Sequence, residues 1–169
     1  MLAEEVSLIV GAVAADIGSD AAYVRRNKKR LYLTGIEIAA LVATGVLTSF
    51  LIGVFTGVKK RVGEVGEGVG EAAVDAALER LFGIQTRAKQ ETDDTKEDLV
   101  SVVTELKAEL SEVTRQPVYQ EIHIHFHLHS SEASDQVALY LADIGYPSDV
   151  AAARSRQLVE RIERELGDL

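Results

Sequence analysis

Residues Ile38–Val58 read IAALVATGVLTSFLIGVFTGV, an unbroken uncharged run of 21 residues. Basic residues bracket it: Arg25, Arg26, Lys28, Lys29 and Arg30 before, Lys59, Lys60 and Arg61 after. A helix needs roughly 20 apolar residues to cross a bilayer, and this run supplies them. Small residues recur inside it every four positions, at Gly45, Ser49, Gly53 and Gly57. On a helix that spacing lines one face, where a second backbone can come close. The run therefore reads as a transmembrane helix with a glycine-zipper face, its flanking cations placed to meet lipid headgroups.

Working outward, the span is expected to begin near Leu31–Thr34, which puts Glu37 close to its N-terminal end. A carboxylate there meets the positive end of the helix dipole at headgroup depth. A deeper position would require it to pair or be protonated, as in a proton- or ion-handling site. Beyond the span, Glu64, Glu67, Glu71, Asp75 and Glu79 step by three and four residues into an acidic stripe. Gly63, Gly66, Gly70, Ala73 and Ala77 form a small-residue face beside it. Each of these glycines costs an isolated helix about 1 kcal/mol against alanine. Close helix packing is the natural offset, and a hinge between two parts of the chain is the competing reading. The plan of a glycine-zipper helix with an acid near its start, over the first half of the chain, is loosely similar to membrane-perforating domains of bacterial cell-death systems. That resemblance implies an oligomer that perturbs or permeates a bilayer. Thr44, Thr48 and Thr56 would line such a pore, and Glu37, Glu64, Glu67 and Glu71 would supply its acids and favour cations.

Around this core the chain divides into four stretches. Residues 1–30 hold an amphipathic helix, with Val6, Ile9, Val10, Val13 and Ile17 at three- and four-residue spacing, and then the basic block. Residues 31–82 hold the span and the acidic glycine-rich helix. Residues 83–98 are polar and read as a linker or a solvated helix. Residues 99–169 read as an oligomerisation module. It opens on a short coiled-coil seam, Leu99, Val103, Leu106, Leu110 and Val113, and Pro117 stops that helix. The stretch VYQEIHIHFHLH, 118–129, alternates apolar and polar residues like a half-buried strand. Two helices close the chain. The first starts at Ser134 or Asp135 and is capped by Gly145; the second starts at Ser148 and buries Ala151, Leu158, Ile162 and Leu166. The expected fold is mainly α: one transmembrane helix plus a small C-terminal α-β-α-α module.

All four histidines, His123, His125, His127 and His129, lie on one face of the expected strand, with Glu121 beside them. Three uses stay open: a solvated row, an interface that repels once the imidazoles protonate, or a divalent transition-metal site. A single strand needs a partner, so this one is expected to pair with its own copy or with another protein. With no cysteine in the chain, disulfides and thiolate sites are excluded. A net charge of −9 argues against nucleic acid as a partner. No enzyme motif is present, since the GEGVGE fragment at 66–71 lacks the Lys-Ser/Thr pair of a phosphate loop. The N-terminus, with Glu4 and Glu5, does not read as a cleaved signal. The expected location is a membrane, single-pass. The larger basic count before the span places the N-terminus in the cytoplasm. The main functional reading is a self-associating membrane assembly. Its alternatives are a membrane anchor or scaffold without conductance, and a soluble helical multimer that buries residues 38–58.

Overall fold

The computed structural model describes residues 2–20, 35–65, 68–90, 96–114 and 130–167. They form six α-helices: α1 (Leu2–Ile17), α2 (Gly35–Val65), α3 (Gly68–Gln90), α4 (Lys96–Thr114), α5 (Ser130–Asp143) and α6 (Ser148–Gly167). A short 3-10 turn, Gly18–Asp20, follows α1. No strand occurs among the described residues, and the expected strand at 118–129 lies outside them.

Helix α2 is the axis of the bundle, and each of the other five helices packs against it. Every residue from Leu41 to Phe55 is buried, so the helix is enclosed on all sides. A helix that is apolar all round needs such an enclosure or a bilayer. Ten large apolar side chains between Leu41 and Val58 are at most 2% exposed. Stripping their cover would cost roughly 15–30 kcal/mol at about 1.5–3 each, more than the whole stability of an ordinary domain. The helix therefore cannot stand in water alone.

The enclosing helices run back along α2. Lys59 pairs with Asp75 at 2.5 Å and Ser49 bonds Gln85 at 2.6 Å, so α3 lies antiparallel to α2. Residues 35–65 and 68–90 thus form an antiparallel pair of helices, α2 ending at Val65 and α3 starting at Gly68. Residues 83–90, which read as a linker or a solvated helix, continue α3.

Helix α4 returns along α3, tied by a ladder of charges. Arg80 bonds Glu109 at 3.3 Å and Glu112 at 2.6 Å, and Arg87 bonds Glu105. Of the expected coiled-coil seam, Leu106 and Leu110 are buried, together with Val102 in place of Val103. They pack against α1, α2 and α3 of the same chain. All five apolar positions named on α1 are buried. Helix α6 holds α1 by its end: Arg154 donates to Asp20 at 2.8 Å and to the Asp16 carbonyl at 2.6 Å.

Helices α5 and α6 form a hairpin closed at Gly145, whose φ of 113° lies in the left-handed region. The Tyr146 amide donates to the Leu141 carbonyl at 3.0 Å and the Gly145 amide to Ala142 at 3.1 Å. This pair of bonds is the Schellman ending that a glycine permits. Helix α5 begins at Ser130, four residues before the earlier of its two expected starts. Both helices pack on α2. The expected fold, a lone span beside an α-β-α-α module, is therefore corrected to a helical bundle built around the apolar helix. The C-terminal helices do not stand apart because their apolar faces are part of its cover.

Candidate functional site: the covered glycine face of α2

The glycine face was expected to meet another subunit. In the structure it meets α5. A Cβ placed on Gly53 would overlap the Ala133 Cα and stand 2.6 Å from its nitrogen and 2.7 Å from the Glu132 carbonyl oxygen. These are backbone atoms, which cannot rotate aside. Eight residues earlier on α2, a Cβ on Gly45 would overlap the Tyr140 hydroxyl and stand 2.7 Å from its Cε2. Gly45 faces Tyr140 and Gly53 faces Ala133, so α5 also runs antiparallel to α2. Absence of side chains brings the two backbones together at Gly53 and makes room for an aromatic ring at Gly45.

Ser49, between the two glycines, turns to α3. Its hydroxyl donates to the Gly45 carbonyl at 2.7 Å and accepts from the Gln85 amide nitrogen at 2.6 Å. Both side chains are buried. The threonines expected to line a pore are satisfied within their own helix. Thr44 donates to the Ala40 carbonyl, Thr48 to Thr44 and Thr56 to Ile52, at 2.7–2.9 Å. Ser49 to Gln85 is thus the cross-helix hydrogen bond of this hydroxyl group, while the rest bond backward along α2.

Tyr140 is 1% exposed, and its hydroxyl has no hydrogen-bond partner among the described residues. Burial, with the nearby Tyr146 phenol, raises its pKa well above the usual range. The Lys89 ammonium lies 5.9 Å from the ring centroid and pairs with Asp143 at 2.6 Å. That contact is partly exposed and fastens the far end of α5 to α3.

The other expected sites fall as follows. Gly57 is buried on α2. Lys60 is exposed, and Lys59 is occupied by Asp75 in place of a headgroup. Glu37, Arg61, Gly63 and Glu64 lie in α2, and Gly70 and Glu71 in α3, by their backbones. Arg25, Arg26, Lys28, Lys29, Arg30, Gly66, Glu67 and the histidines His123, His125, His127 and His129 lie outside the described residues. Among the described residues no group of His, Asp or Glu is placed to hold a metal ion. The expected partners are corrected on these findings. The glycine face is filled from within the chain, and no described feature supports a lipid contact, a His-strand partner or a histidine metal centre.

Sequence reasoning missed the cover itself. Nothing about SSEASDQVALYLAD announces that Ala133 sits against a glycine. The α3–α4 ladder did leave a signal: Arg80 and Arg87 are seven residues apart, and Glu105, Glu109 and Glu112 step by four and three. Gln85 left none, because an amide in a polar stretch looks solvated. In comparison with known proteins, the chain matches no family model, no curated relative and no solved structure. The reading of its role therefore stands on the bundle alone.

Proposed function

We propose that this chain is a non-catalytic helical scaffold or adaptor, in which residues 38–58 serve as the core of a bundle. The observation that carries the reading is the enclosure of Leu41–Phe55 by five helices of the same chain. The surrounding helices suit it: α6 buries Ala151, Leu158 and Ile162 while Arg156, Gln157 and Glu160 are exposed. Amphipathic helices of this kind place one face on a core and the other in water. Expression without detergent tests it. The expected result is a monodisperse helical protein in the soluble fraction; recovery confined to membranes would sink the scaffold reading.

A second reading keeps the bilayer. The segment Ala39–Lys60 is long and apolar enough to span one, and the bundle buries all of it but Ala40, Thr56, Lys59 and Lys60. Thr44, Thr48, Ser49 and Thr56 each donate to a carbonyl of their own helix. Such a helix can leave a bundle for lipid without stranding those donors. Leakage of dye-filled anionic liposomes tests this reading. It expects release at micromolar protein, and it fails if saturating protein leaves the vesicles intact.

A further inference from the structure

We draw no further inference here: the strongest candidate, the crevice of about 590 Å³ between α5 and α6, carries nothing, because its facing hydroxyls, Ser134 and Ser155, already bond each other and the Ala152 carbonyl, and the rest of its polar wall is the start of α5 and the acids of its rim, with nothing in the structure to show what would fill it.

Discussion

Glycines 53 and 83 are both helical, and both look alike in the sequence. Their surroundings differ. A methyl group at Gly53 runs into the backbone of α5, whereas one at Gly83 meets nothing within 4 Å. Gly53→Ala should therefore destabilise by about 1–3 kcal/mol, the usual cost of overpacking against atoms that cannot move. Gly83→Ala should stabilise by up to about 1 kcal/mol, the propensity gain of alanine in a helix. Urea midpoints at constant m-value measure both. The spacing of the glycines was legible because it follows helix geometry. Which neighbour each one faces was not, because that depends on a helix about 80 residues further along the chain.

Glu109 makes a prediction about pH. It is 7% exposed, and burial raises its pKa above the ordinary carboxylate range, while Arg80 pulls the other way and Glu112 adds to the rise. The folded state therefore holds this proton more tightly than the unfolded chain does. Its contribution to stability is greatest below the ordinary carboxylate pKa and is lost as pH rises through the raised value. Glu109→Gln should escape that loss. Its stability relative to wild type should improve as pH rises above the ordinary carboxylate range, measured by urea unfolding at several pH values. A variant that instead loses ground as pH rises would contradict the assignment. Nothing in the sequence marks Glu109 as buried, since it sits with Glu105 and Glu112 outside the apolar seam read on that helix.

Between elements, the buried bond from Gln85 to Ser49 joins α2 to α3 with an asymmetry that can be tested. Removing Ser49 strands a buried amide donor, at a cost of about 1–3 kcal/mol. Removing Gln85 leaves the Ser49 hydroxyl still donating to the Gly45 carbonyl. Ser49→Ala should thus cost more than Gln85→Leu, and the two together should cost less than their sum in a double-mutant cycle. Equal and additive losses would show that the bond does not couple the helices. The clamp between α6 and α1 is a second test. Arg154→Met should cost about 1–3 kcal/mol by removing its bonds to the Asp16 carbonyl and to Asp20, to which the Tyr146 hydroxyl still donates. It should also speed amide exchange at the end of α1 before that of α2. Helix periods and the Gly145 cap were readable, because apolar spacing and left-handed glycine act locally. The reversal between α2 and α3 was not. The acidic stripe keeps its helical period across the glycines, so the pattern alone does not show the break.

At the scale of the molecule, the apolar run satisfies two demands at once. Large side chains on every side of a helix require surroundings that exclude water, and both a bilayer and a ring of amphipathic helices provide them. The sequence states the demand and leaves the supplier open. Here the supplier is visible in the remaining helices. Val6, Ile9 and Val13 on α1, Leu81 and Ile84 on α3, Leu106 on α4, Val137 and Leu141 on α5 and Leu158 and Ile162 on α6 belong to one continuous core with α2. Their distribution from Val6 to Ile162 concealed the match, since each helix taken singly shows only an ordinary apolar face.

Amide hydrogen exchange across α2 in detergent-free buffer tests this account most directly. If α2 is the enclosed axis of the bundle, the protein will be soluble without detergent. Amides of residues 41–55 will then exchange most slowly in the chain, opening only with global unfolding, while the exposed side of α6 exchanges sooner. A protein that requires detergent or lipid to stay in solution, or an α2 that exchanges faster than the helices around it, would contradict it.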